Sequence, residues 1–224
     1  MAAKRSEMPW RQFLSNILVG LAMLLLGLCL LGGLNVTFFK DISWASSDKY
    51  YTALWGFCPT AAVNASYSIS ECTSFLGAPV NPIPFDIRQL DIGKTVVEWV
   101  LHVLAFIVAL VSLILAVTDS ISMASWYAAS ASVINLIGTI VAGIDVISVI
   151  QNINANHAWG DSNANIGAGI FFSILAFMTL AASAAVYRME QMRIEKTDVE
   201  KKLKKVEEQL AKATNPTAVR VVRL

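Results

Sequence analysis

Residues 95–150 read TVVEWVLHVLAFIVALVSLILAV, then TDSIS, then MASWYAASASVINLIGTIVAGIDVISVI. Two apolar runs, 95–117 and 123–150, flank a short polar link. A helix rises about 1.5 Å per residue, so crossing a hydrocarbon core takes about 20 apolar residues. Each run is long enough. A link as short as Thr118–Ser122 allows only a tight reversal, so the two runs form an antiparallel helical hairpin. Working outward, residues 13–34 and 166–187 are apolar over comparable lengths. Four membrane-spanning helices are expected, at 13–34, 95–117, 123–150 and 166–187.

The whole composition agrees. Of the 224 residues, 56% are hydrophobic and 15% charged, and the mean hydropathy is +0.59. Soluble domains are nearer 45–50% apolar and 25% charged. The formal net charge is only +1, which argues against a nucleic-acid partner. The first span follows Lys4, Arg5 and Arg11, as a signal peptide would. It is longer than a signal h-region of about 7–15 residues and lacks a small-x-small cleavage site, so it is expected to be retained.

Basic residues cluster before the first span and, from Arg188, Arg193 and Lys196 onward, after the fourth. The positive-inside bias therefore places both termini in the cytoplasm. The division is a cytoplasmic N-terminus over 1–12, a membrane domain over 13–187 with an outer loop over 35–94, and a cytoplasmic helical tail over 188–224.

Cys58 and Cys72 both fall in that outer loop, in an oxidising compartment. Pairing them closes a ring over 58–72, worth about 3 kcal/mol in the chain-entropy account. Cys29 lies within the first span and reads as a small apolar packing residue. Asn64-Ala65-Ser66 fits the N-glycosylation pattern. Residues 63–70 alternate apolar and polar, as a half-exposed strand does, and the aromatic run Tyr50 to Phe57 is a candidate partner. A small extracellular sheet on the helix bundle is expected.

Three ionisable residues fall inside the spans. Glu98 and His102, four apart, share a helix face. Asp145 lies at a similar depth in the next span. Ionisable groups at such depths are candidate functional sites, and a histidine titrates near neutral pH. Asn135 is expected to bond across a helix interface, and Gly138 with Ala142, Gly20 with Gly27, and Ala181, Ser183 and Ala185 offer surfaces for close approach. No Gly-x-Ser-x-Gly, His-Glu-x-x-His, Walker or paired-cysteine zinc pattern occurs, so no catalytic residue, cofactor or metal is expected.

After Tyr187 the pattern changes. Met189, Lys196, Leu203 and Leu210 recur every seven residues, as do Met192, Val199, Val206 and Ala213, giving heptad a and d positions. Glu200–Lys204 and Glu208–Lys212 are favourable i,i+4 pairs. The helix is expected to run from the fourth span to about residue 213. Basic residues outnumber acidic ones in this tail. Two readings stand: a coiled coil with another copy or a cortical protein, or a helix lying on anionic inner-leaflet lipid.

Trp44, followed by Leu54-Trp55-Gly56-Phe57-Cys58 and then Cys72, on four spans with a long first outer loop, resembles the claudin-like superfamily. The order of Trp and Gly and the wide cysteine spacing look more like its fungal branch, the eisosome-associated and PalI-type proteins. The resemblance covers residues 10–190. It implies an all-α four-helix membrane bundle with a small extracellular β-sheet and a cytoplasmic helix. It also implies a non-enzymatic plasma-membrane protein that organises a cortical compartment and supports cell-wall and endocytic organisation. Its partners would be membrane lipids, other copies or a larger membrane protein. The alternative reading is a regulatory subunit of a receptor, channel or synthase, with Glu98, His102 and Asp145 sensing ambient pH.

Overall fold

The computed structural model describes residues 10–32, 42–47, 50–54, 56–59, 73–74, 92–118, 120–156 and 163–214. Trp55, Asn64, Cys72, the side chain of Cys58 and the strand expected over 63–70 lie outside this set. Four helices make up most of it: α1 (Trp10–Leu31), α2 (Ile92–Val117), α3 (Ile121–Asn156) and α4 (Ala168–Thr214). All four are long and apolar enough to cross a membrane. They run up and down in turn, with α1 against α2 and α4, and α3 against α2 and α4.

The reversal between α2 and α3 is tighter than Thr118–Ser122. Thr118 closes α2 by bonding its amide to the Ile114 carbonyl at 3.0 Å and its hydroxyl to the Leu115 carbonyl at 3.1 Å. The Ser120 carbonyl already accepts the Ala124 amide at 3.0 Å, opening α3. The turn needs only Thr118–Ser120.

Packing in the bundle is the reverse of that in a water-soluble protein. The sealed interior is largely alanine: Ala105, Ala109, Ala116, Ala124, Ala128, Ala131 and Ala176, with Val19, Leu26 and Leu180. Leu24, Ile114 and Phe171 point outward and are more than half exposed. In lipid a large aliphatic side chain loses nothing by facing the solvent, while small residues let helix backbones approach. Trp10 and Trp126 are also exposed. Both sit at the end of the bundle that holds the α2–α3 turn, where amphipathic rings favour a membrane interface.

The expected close-approach glycines take no part in this packing. A Cβ built at Gly20 or Gly27 meets nothing within 4 Å, and Ala181 and Ala185 are exposed, whereas Ser183 between them is buried and bonds the Ser15 carbonyl of α1. Alanines on the other faces supply the close contacts. Gly138 is the exception: a Cβ there would stand 3.0 Å from the His102 ring.

Five short strands form an antiparallel sheet at the opposite end, in the order β4-β3-β2-β1-β5. They are β1 (Ala45–Ser46), β2 (Tyr50–Ala53), β3 (Gly56–Pro59), β4 (Thr73–Ser74) and β5 (Asn165–Ile166). Two differences from the sequence reading stand out. The aromatic run Tyr50 to Phe57 is two strands, β2 and the start of β3, joined by a tight turn that pairs Ala53 with Gly56. The sheet also extends beyond the first long connection, because β5 comes from the segment before α4 and pairs Ile166 with Ala45.

Three glycines seat the sheet on the bundle. A Cβ at Gly32, after α1, would overlap the Ile42 carbonyl oxygen, and one at Gly167 would overlap that of Ser43. At Gly169 it would meet the Trp44 indole at 3.0 Å. The amides of Gly167 and Gly169 bond the carbonyls of Trp44 and Ser43, each at 2.9 Å. Segment 42–44 thus lies in a slot between the ends of α1 and α4 that no larger residue would leave open.

Candidate functional site: a polar relay under the sheet

His102 is fully buried in the bundle. Its Nδ1 lies 2.8 Å from the Glu98 carbonyl oxygen. A carbonyl only accepts, so Nδ1 carries the hydrogen and donates it. On the other side Nε2 lies 3.0 Å from Ser173 Oγ on α4. Helices α2 and α4 are diagonal in the bundle, and this bond joins them through its centre.

Ser173 Oγ also meets α3, lying 2.6 Å from Thr139 Oγ1 and 3.2 Å from Asn135 Oδ1. Asn135 donates its Nδ2 to the Ser173 carbonyl at 2.8 Å. Thr139 donates to the Asn135 carbonyl one turn back at 2.7 Å. Ser173 has one hydroxyl hydrogen and three polar neighbours. With a neutral His102 that hydrogen goes to Nε2, and the contacts to α3 compete for it. With a second proton on His102, Nε2 would donate to Ser173, whose hydrogen would then be free for α3.

Trp44 closes the relay from above. Its indole is 2% exposed and meets the His102 ring edge-on, with centroids 5.2 Å apart and planes at 83°. Cys29 completes the corner: it is buried, and its thiol points to the Gly169 carbonyl at 3.4 Å. Trp44 and Cys29 share one apolar cluster with Leu54, Ala142 and Val146.

The three charged or titratable residues singled out from sequence sit at successive heights between the middle of the bundle and the sheet. His102 packs level with Gly138. Asp145 is seven residues further along α3, about 10 Å at helical rise, and half-buried. Glu98 is buried one turn from His102 toward the sheet. Among the described residues no three His, Cys, Asp or Glu side chains are grouped to hold a metal ion. The partners of His102 are the Glu98 backbone carbonyl, the Ser173 hydroxyl and the Trp44 indole. Asn135 bonds across a helix interface as its polarity in a span suggested. Ser173 and Thr139 gave no signal beyond being hydroxyls in apolar helices.

A second polar seam lies at the other end. Gln12 donates to the Ala116 carbonyl at 2.8 Å, Ser183 to the Ser15 carbonyl at 3.2 Å, and the Tyr187 hydroxyl to Asn16 at 2.6 Å. One turn on, buried Glu190 holds Arg193 at 2.6 Å. Beyond it α4 leaves the bundle. Met192, Val199, Leu203, Val206 and Leu210 are all exposed, as is every described side chain from Met192 to Ala211. Met189, the first residue of the heptad, is also exposed. The chain matches no protein-family model and no curated protein.

Proposed function

We propose that this is a non-enzymatic, claudin-like plasma-membrane protein of the fungal kind that organises a cortical membrane compartment by lateral association. The observation that carries the reading is the contrast between its interior and its tail. Polar side chains inside the bundle spend their bonds across helices, on backbone carbonyls and on one another, which fixes the packing of four spans. The apolar a and d side chains of the tail are presented unburied on a helix continuous with a span. A surface of that kind is stabilised by a partner. Four antiparallel helices, a long first connection and a buried Trp44 under a small sheet are in keeping with the resemblance. By the positive-inside bias the sheet faces outward and the tail is cytoplasmic. Photobleaching of a tagged copy in living cells, with and without residues 199–224, tests the reading.

A second reading, a regulatory subunit responsive to external pH, draws on the hydrogen count at Ser173. A proton gained by His102 would redirect the Ser173 hydroxyl from α2 to α3 and so change how the diagonal helices are joined. A pH-dependent change in cross-linking between α2 and α4, absent in His102→Gln, tests it.

A further inference from the structure

We infer that the tail is built to pair in parallel with a helix of a different chain, one carrying the opposite pattern of flanking charge, and not with a second copy of itself. The inference rests on the proposed lateral role only for the side of the membrane the tail occupies.

The apolar seam is narrow. Met192, Val199, Leu203, Val206 and Leu210 are exposed and occupy alternating d and a positions, while Lys196 takes the a position between Met192 and Val199. A strict a/d stripe is the shape of a coiled-coil seam; a helix lying on a membrane presents a broader apolar face. The flanks carry both signs of charge. Arg188, Glu195 and Lys202 line one edge, and Arg193, Glu200 and Glu207 the other. The helix is unbroken from Ala168 to Thr214, so the tail continues the direction of its span, with no break at which to turn onto the leaflet. The span also meets the cost of nucleating the helix, so the seam is already formed before a partner arrives.

Two copies in one membrane would pair in parallel. Each residue on the first edge would then face the residue five further on along the second edge of its neighbour. Glu195 would face Glu200, and Arg188 would face Arg193, whose charge Glu190 already engages. Lys196 would face Lys196 in the seam itself. Only Lys202 against Glu207 would be favourable. A partner with basic residues opposite Glu195 and Glu200, and acidic residues opposite Arg188, Lys196 and Lys202, removes every conflict. The charge pattern thus works against self-pairing while keeping the seam adhesive.

The full chain, one copy per phosphatidylcholine nanodisc, is titrated with three labelled peptides. The first is residues 188–214. The second keeps its a and d residues but carries Glu opposite Arg188, Lys196 and Lys202, and Lys opposite Glu195, Glu200 and Glu207. The third is the second with its flanking charges reversed. The second peptide should bind at least tenfold more tightly than the other two and lose binding to Leu203→Asp/Leu210→Asp. Equal or tighter binding of the tail's own sequence overturns the inference, as does failure of all three. So does loss of the second peptide's binding when phosphatidylserine is placed in the disc, because lipid would then cover the seam. Binding of the second peptide alongside unchanged photobleaching on tail removal would leave the pairing intact and defeat the organising role.

Discussion

The indole of Trp44 meets the imidazole of His102 edge-on at a centroid distance of 5.2 Å. A residue of the sheet thereby plugs the end of the bundle and covers its most polar point. Trp44→Ala should leave a cavity there and cost about 3–5 kcal/mol, the range for a buried aromatic truncated to alanine. Trp126→Ala, at a site that is 68% exposed, should leave stability within about 0.5 kcal/mol. Thermal unfolding of both variants in the same detergent distinguishes them. Equal losses would mean that the plug does not hold the sheet.

Ser173 is the hub of the relay, so its loss should be felt by three helices. Ser173→Ala should cost about 1–3 kcal/mol because buried polar atoms on α2 and α3 lose a partner. Ser148→Ala is the control, since its hydroxyl is exposed and bonds only its own helix at Ile144. A double-mutant cycle of Ser173→Ala with Asn135→Leu should be non-additive. Additive losses would separate the two residues.

Glycine replacements should divide sharply. Gly167→Ala sets a Cβ against the Ser43 carbonyl, and Gly32→Ala sets one against that of Ile42; both should abolish the folded yield or lower it severely. Gly20→Ala and Gly27→Ala face open space and should stabilise α1, by up to about 1 kcal/mol each on helix propensity. Folded yield and thermal midpoint are the readouts.

The sheet register bears on the cysteines. β3 and β4 pair Gly56 with Ser74 and Phe57 with Thr73. In sequence Cys58 follows Phe57 and Cys72 precedes Thr73, and both belong to the long connection expected on the oxidising side. Peptide mapping without reductant should recover 58–72 as a cross-linked pair, with Cys29 a free thiol that reacts only after denaturation. Alkylation of both loop cysteines in the native protein would contradict this.

Much of the architecture was legible because length and period are strong signals. The apolar runs around Thr118–Ser122 leave room only for two helices and a turn, and the heptad from Met189 to Leu210 marks one helix running out of the fourth span. What stayed hidden is what carries no period. Asn165–Ile166 is too short to show alternation, so its place beside Ala45 is set by the slot formed by Gly32, Gly167 and Gly169. Ser173 becomes a partner of His102, and Thr139 a partner of Ser173, only once the helices are packed. Glu98, His102 and Asp145 drew attention by charge, whereas the neutral groups around His102, Ser173 above all, gave no such signal. Gly20 and Gly27 looked like contact surfaces, but alanines already fill that role.

If the exposed seam of α4 organises the membrane around it, as proposed, its removal should free the protein to diffuse. The most direct measurement is fluorescence recovery after photobleaching of a tagged full chain in living fungal cells, compared with a chain ending at Asp198. That end point keeps Tyr187, Glu190 and Arg193 and so leaves the bundle intact. The expected result is immobile cortical patches for the full chain and a uniform, fast-recovering signal for the shortened one. Patches that persist without residues 199–224, or a full chain that recovers as fast as the shortened one, would contradict the claim.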